Sequence, residues 1–546
     1  MNSTNALINV GALPDLDQKG RALVKLSGKQ IAIFKDADNQ LYAINNRCPH
    51  EGYPLIEGTI TEATDDGDAP KACKLACNWH GWSFDLSDGE ALKGRDNVRT
   101  YPIEKRGSDY FLDLSDIDPA VRTEQAYNEF DEAISEHDYD RIARSLCRLE
   151  QAGAKLENSV KRVLRWSADR FERGIGHPHA GLVDWITLSK EFKGNRTLAF
   201  LEAIGHFSWD GMMGANFPFA SGYKEWSADE FVDAIEEVDE DTAIKLARDG
   251  LKKGLKFANF KPLFQKVIFN HYMGFGHPAI YLMKIEILVN HLGDDTLETL
   301  VFQMTRYLTN AAREDLIPEF RMFGGCLKRF TTNQQQEFPA LPDSDAQSAD
   351  LPRSGDSVRA VLEKTAAYKG DNHRLWEHLL RESAINMLRF DVGLQDKIEQ
   401  PIARNIGWLD FTHAITFAEA VKFHSNDNTA TTIRFMKSGL LQMACFVGRN
   451  ARYLGDNEFE THQISDHNQY IQDQKAALFN MDEGEYIYAV HRLKMICAVE
   501  KLSGMVSVET VSLLVAALNK YLSSRIRMRH PARALYQARE TVMREG

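Results

Sequence analysis

Basic residues are in the minority: 65 Lys and Arg stand against 78 Asp and Glu, a formal charge of −13. That balance lacks the electrostatic footprint of a general nucleic-acid binder and excludes that class of partner. Long hydrophobic runs are missing; nothing approaches the ~18–20 apolar residues that span a bilayer, so no membrane segment is expected. Cysteine is scarce, at 7 in 546 residues, which is no disulfide framework. The opening MNSTNALINVGALPDL has no basic stretch followed by an apolar one. Secretion by a signal peptide is therefore not expected, and a cytoplasmic location is. Glu-x-x-His does not occur, which removes the di-iron bundles built on paired copies of it. What is present is ordinary globular composition, 43% hydrophobic and 26% charged, in a chain long enough for more than one domain.

Residues 7 to 115 read as β structure. Val24-Lys25-Leu26 and Gln30 to Phe34 flank Ser27-Gly28-Lys29, a hairpin signal; Gln40 to Ile44 and Tyr110 to Leu114 are further short β runs. The pattern changes at Asp118-Pro119, an N-cap followed by proline at the first helical position. Beyond it, Ile134, Ile142, Leu146 and Leu149 fall at helical spacing, and nearly every later segment reads as amphipathic helix. The expected architecture is multidomain: a small all-β domain at 1–116, then a large all-α domain at 117–546. Polar, proline-bearing 334–356 is expected to be a linker or long surface loop. Gly174-Ile175-Gly176-His177-Pro178 recurs as Gly274-Phe275-Gly276-His277-Pro278, each copy opening an apolar helix, with a looser third copy from His413 that takes in Asp427-Asn428-Thr429.

Cys48-Pro49-His50 and Cys77-Asn78-Trp79-His80 form a C-x-H…C-x-x-H pair. Two thiolates and two imidazoles suit tetrahedral zinc. The same set, one Cys and one His from each half of a β domain, also suits a [2Fe–2S] cluster with both cysteines on one iron and both histidines on the other. With its flanks, Cys48-Pro49-His50-Glu51-Gly52 and Cys77-Asn78-Trp79-His80-Gly81-Trp82-Ser83-Phe84-Asp85, the stretch resembles the Rieske ferredoxin domain over about residues 7–115. The resemblance implies a [2Fe–2S] cofactor on Cys48, His50, Cys77 and His80. The 26 residues between His50 and Cys77 are more than that family usually has, and 64–70 is expected to be an acidic surface loop. Cys73 lies near but lacks the C-x-x-H spacing.

Of the 17 histidines, 14 lie beyond residue 150, several inside apolar helices. His277 heads a very apolar helix, His413 sits among small and apolar neighbours, and His491 and Lys494 are three apart on one helix face. Gly176-His177-Pro178-His179 supplies a fourth region. Polar groups in apolar helices need a partner, either a shared metal or separate backbone carbonyls. The Asp-x-x-His of Asp410 to His413 has its next histidine only at His424, which does not fit conventional Rieske oxygenases. The stripe Phe207, Trp209, Met212, Met213, Phe217, Phe219 suits an apolar pocket and equally a plain core.

Gly276-His277-Pro278-Ala279-Ile280-Tyr281, Thr412-His413-Ala414-Ile415-Thr416 and Val490-His491-Arg492-Leu493-Lys494 occur in the order in which similar motifs occur in the questin oxidase-like family, and residues ~170–510 resemble it. That family oxygenates aromatic polyketides. The resemblance implies a mononuclear non-haem Fe(II) held by several histidines (His177 or His179, His277, His413, His491), with Lys494 as a carbamate formed from CO2. Tyr281, where the family more often has a second His, and the fused Rieske domain depart from it. An ordinary Lys494 reaching solvent is the alternative. The expected function is an oxygenase fed by an external reductase, acting with O2 on a small apolar, polyketide-like aromatic substrate; homo-oligomer formation is left open. The alternative is an electron-transfer or redox-sensing protein whose helical part docks a partner.

Overall fold

The computed structural model describes residues 7–61, 73–212, 214, 216–332, 350–426 and 429–545. The 64–70 loop, most of 334–356, Met213 and Asp427-Asn428 lie outside them. The chain forms two compact units, 1–130 with 148–153, and 131–147 with 154–546. Strand gives way to helix where the sequence predicts: Ala120 N–H bonds the Asp118 carboxylate at 2.7 Å, and the helix Pro119–Glu136 follows. The first unit extends past 116 into that helix, up to Phe130.

The first unit holds strands β1 (Ile8–Gly11), β2 (Arg21–Leu26), β3 (Lys29–Lys35), β4 (Leu41–Asn45), β5 (Thr59–Thr61), β6 (Lys74–Ala76), β7 (Ser83–Asp85), β8 (Ala91–Lys93), β9 (Ile103–Arg106) and β10 (Asp109–Leu112). They form three antiparallel sheets, ordered β1-β10-β9, β2-β3-β4 and β5-β6-β7-β8. The β2–β3 hairpin turns on Ser27-Gly28, both at positive φ (51° and 75°), the backbone that matches strand twist in a two-residue turn. Ile31 to Phe34 of β3 are buried on both faces. Cys48 and Cys77 share a core with Leu75, Phe84 and Leu86, so the thiols sit at the wall of a packed interior.

In the second unit, four helices form a closed ring: His177–Glu191, His277–Leu292, Leu409–His424 and Tyr486–Ser503. The first packs on the second and fourth, and the third does the same. Each is apolar on nearly every face, the pattern of a helix buried all round. The 174–178 and 274–278 repeats each open one of these helices, and each helix is followed by a short 3-10 turn and a second helix, Arg196–Met212 or Leu297–Thr309. Gly181 has no side chain because the fourth helix is too close: a Cβ there would lie 2.6 Å from Val490 Cγ2. Among the described residues no helix is long and apolar enough to cross a membrane.

Candidate metal centres

In the β unit each ligand loop closes on its own cysteine. The N–H of Gly52 donates to the Cys48 carbonyl at 2.8 Å, and that of Gly81 to the Cys77 carbonyl at 3.0 Å. Both glycines take φ near 70°, in the left-handed region where a side chain is strained. The matched turns bring His50 and His80 together edge to face, Nδ1 to Nδ1 at 3.1 Å. Behind them Cys48 and Cys77 are buried (3% and 1% exposed) and within hydrogen-bond reach of each other. Burial first, and then the neighbouring Cys77, push the Cys48 thiol up to about 11. Two buried sulfurs and two more exposed imidazoles are a mixed S/N donor set that would hold a [2Fe–2S] cluster. Cys73 is buried in the same core, its carbonyl accepting from Leu86 N–H. The exposed Trp79 indole donates to Glu51 at 3.1 Å.

In the helical unit the three ring nitrogens that meet most closely belong to His177, His277 and His413. His277 Nε2 lies 3.2 Å from His177 Nε2 and 2.9 Å from His413 Nε2, and His491 Nε2 is 3.3 Å from His413 Nε2. The other nitrogens fix what these atoms are. His277 Nδ1 donates to the Gly274 carbonyl at 2.7 Å, His491 Nδ1 to the Ile487 carbonyl at 2.6 Å, and His413 Nδ1 to the Leu409 carbonyl. A carbonyl only accepts, so each Nδ1 holds the ring proton and each Nε2 presents a lone pair. Lone pairs aimed at one another at these distances repel, unless a cation lies between them. Nitrogens ~2.1 Å from one ion stand about 3.0 Å apart at right angles and about 3.4 Å apart at tetrahedral angles, close to the neighbour spacings of 2.9, 3.2 and 3.3 Å.

Burial, and then the neighbouring cationic groups, hold His177, His413 and His491 well below the ordinary histidine range, and His277 at about 3. They are neutral imidazoles at physiological pH. The local fold supports this placement. Gly276 takes φ 77° and lies so close to Phe417 and Phe446 that a Cβ would meet them at 2.8 and 2.9 Å; His277 follows directly, with Pro278 at the start of the helix.

The other sequence candidates divide. His179 does not join the cluster: its Nε2 donates to Gln303 at 3.0 Å and its Nδ1 accepts from Gly176 N–H at 3.2 Å, capping its own helix. Lys494 does not reach solvent; it is 2% exposed, its Nζ has no hydrogen-bond partner among the described residues, and burial lowers it to about 7. His424 bonds the Ala279 carbonyl and Gln265. Phe207 is core beside His179, whereas Trp209 is 41% exposed.

The N-terminal residues 6–102 match the model of the Rieske [2Fe–2S] domain. The ferredoxin subunit of a 3-phenylpropionate/cinnamic acid dioxygenase from Shigella boydii is 36% identical over 103 residues, 18% of this chain and 88% of that subunit. The chain belongs to the Rieske [2Fe–2S] family. A 4beta-methylsterol monooxygenase from Methylococcus capsulatus is 33% identical over 92 residues, 15% of this chain, and the chain spans 22% of that enzyme's length. Among solved structures, the ferredoxin of carbazole 1,9a-dioxygenase from Nocardioides aromaticivorans is 22% identical, covering 20% of this chain and 99% of that one, with a TM-score of 0.17. The Rieske domain accounts for about a fifth of the chain.

Beyond the Rieske domain the structure adds a buried ionic layer that the sequence reading missed. Asp184 accepts from Lys284 Nζ at 2.6 and 2.8 Å, and Lys501 lies 3.7 Å from Asp184 and 2.9 Å from Glu419. Asp184 and Lys284 stand two turns beyond His177 and His277 on their helices, Glu419 nearly two turns beyond His413, and Lys501 further along the His491 helix. Charged residues at these offsets in otherwise apolar helices were the available signal. Asp184, Lys284 and Glu419 are buried and Lys501 is partly exposed; burying charge costs roughly several kcal/mol per ion before pairing, so the layer is sustained by its mutual contacts.

Proposed function

We propose that this protein is an iron-dependent oxygenase whose Rieske domain and helical unit are two metal centres of one redox enzyme. Cys48, His50, Cys77 and His80 would hold the [2Fe–2S] cluster, and His177, His277, His413 and His491 a mononuclear iron. When bound, the cluster supplies one-electron transfer from an external reductase and the iron supplies reductive activation of O2. The observation that carries the reading is the convergence of Nε2 lone pairs with their Nδ1 protons tied to backbone carbonyls. Second-partner bonds of this kind orient a ligand imidazole and raise its basicity.

The protein's own groups do the rest. The four-helix ring buries His413 and His491 and leaves His177 and His277 partly exposed, and the low-dielectric side of the cluster strengthens the electrostatic interactions there. Lys494 completes the site in this reading. A neutral amine there adds CO2: an Nζ–C bond forms, a proton leaves, and an anionic carbamate offsets the charge of an otherwise all-imidazole site. The substrate is a small organic molecule of the apolar, aromatic type that the helical resemblance implies.

Metal analysis tests the reading. Full-length protein reconstituted with iron and sulfide should carry about three irons per chain, and His413→Ala about two. Two irons in both would leave an electron carrier with a helical docking unit.

A further inference from the structure

A cavity of about 440 Å³ lies in the helical unit, within the range that holds small organic ligands. Three helix beginnings meet at it: Leu409–His424, Tyr486–Ser503 and Pro531–Val542 each contribute first-turn residues to its wall. None of the three has a side-chain cap on its first N–H groups. Some first-turn N–H groups are taken by local turns (Asp410 by the Gly407 carbonyl, Phe411 by Trp408, Tyr488 by Glu485), but each start still turns the positive end of its helix dipole to the cavity, a setting that favours an anion.

The wall carries the same sign. Arg527, Arg529 and Arg533 line it with His530, against the carboxylates of Asp410 and Glu485. Arg533 is committed to the carbonyls of Lys397 and Gln395, and Asp410 to Gly407 N–H. Arg527 is half-buried, and among the described residues its guanidinium enters no ion pair or side-chain hydrogen bond.

Two further wall residues point to a ligand independently. Trp408 and Tyr521 are 2% and 1% exposed, and among the described residues neither the indole N–H nor the phenol has a hydrogen-bond partner. A buried polar group left unpaired is destabilising, and a bound polar molecule that pairs with it relieves that cost. Their rings stand 5.4 Å apart and offer aromatic surface to a planar partner.

We infer that this cavity binds a planar aromatic anion, a carboxylate or phenolate, with its charge on Arg527 at the positive ends of the three helices and its ring beside Trp408 and Tyr521. The cavity also touches the metal centre's support. Leu409, whose carbonyl holds His413 Nδ1, lines it, as does Tyr488, one turn before His491. As the substrate class of the oxygenase the inference rests on the function proposed above; as a binding site it stands on the cavity alone.

Titration calorimetry of the full chain with 2-naphthoate and with the neutral 2-naphthamide tests it. The naphthoate should bind and the amide bind at least about tenfold more weakly. Arg527→Gln should remove most of that preference, and Tyr521→Phe, which deletes only a hydroxyl, should weaken naphthoate severalfold without moving the melting temperature. Equal binding of both probes, no binding of naphthoate, or an unchanged preference in Arg527→Gln would overturn the inference. None of these results alters the iron count, so failure here and failure of the oxygenase reading are told apart.

Discussion

The Rieske domain and the helical unit gather imidazoles in opposite ways. In the Rieske domain both ligand loops are local: a cysteine, a histidine within three residues, and a glycine whose N–H closes the turn back on the cysteine. Position is set by backbone bonds inside a few residues. In the helical unit the rings come from four helices spread over more than three hundred residues. There position is set by packing and, for His277, His413 and His491, by ring-to-carbonyl bonds to the preceding turn. A site of the first kind is written in spacing; a site of the second kind exists only when the whole bundle is assembled.

That contrast is open to attack, and the largest expected effects fall on the metals themselves. Cys77→Ser should abolish the visible absorption and the reduced-state paramagnetic signal of the cluster while leaving about one iron per chain on the helical unit. His413→Ala should do the reverse, weakening iron at the helical site by more than about a hundredfold with the cluster spectrum intact, as metal analysis after dialysis would show. If either substitution emptied both centres, the two sites would not be independent in the way described.

Next in size is the ionic layer. Asp184→Asn leaves Lys284 buried without its counter-charge, and urea unfolding should report a loss of about 3–5 kcal/mol. Replacing both with leucine should recover most of it, because a matched apolar pair removes the desolvation cost; no recovery would give the layer a role beyond pairing.

Acid sharpens the comparison further. Burial holds His277 at about 3 and His179 and His424 at about 4 in the folded chain, against ~6.5 when unfolded. Below pH ~6.5 the unfolded state binds more protons, so stability present above that pH is lost as pH falls toward 4. Each histidine contributes about 1.4 kcal/mol per pH unit in that window. Metal-free protein should therefore lose its helical structure at markedly lower urea at pH 5 than at pH 7, and His424→Gln should flatten the dependence. The smallest effect expected is at Gly181, where alanine meets Val490 and should cost about 1–3 kcal/mol, read as a lower melting temperature.

How much was legible follows the same division. The Rieske motif, the hairpin at Ser27-Gly28, the helix start at Asp118-Pro119 and the 174/274 repeat could be read directly, because each is a short-range pattern with a local physical cause. His277, His413 and His491 stood out only as polar groups misplaced in apolar helices; that their Nε2 atoms meet depends on helix packing that no spacing encodes. His177 and His179 show the limit. Two positions apart, they point to opposite faces of one helix start, and only the structure tells the cluster imidazole from the one that caps Gly176. The cavity at Trp408 and Tyr521 was invisible for a similar reason, since its wall draws on segments from Gln395 to Gln537.

The most direct measurement is anomalous X-ray scattering at the iron edge from crystals of the reconstituted protein. The account predicts, apart from the cluster, one peak about 2.1–2.2 Å from Nε2 of His277 and His413, with His177 and His491 beside it. A full-occupancy cluster peak with only water among those imidazoles would contradict it.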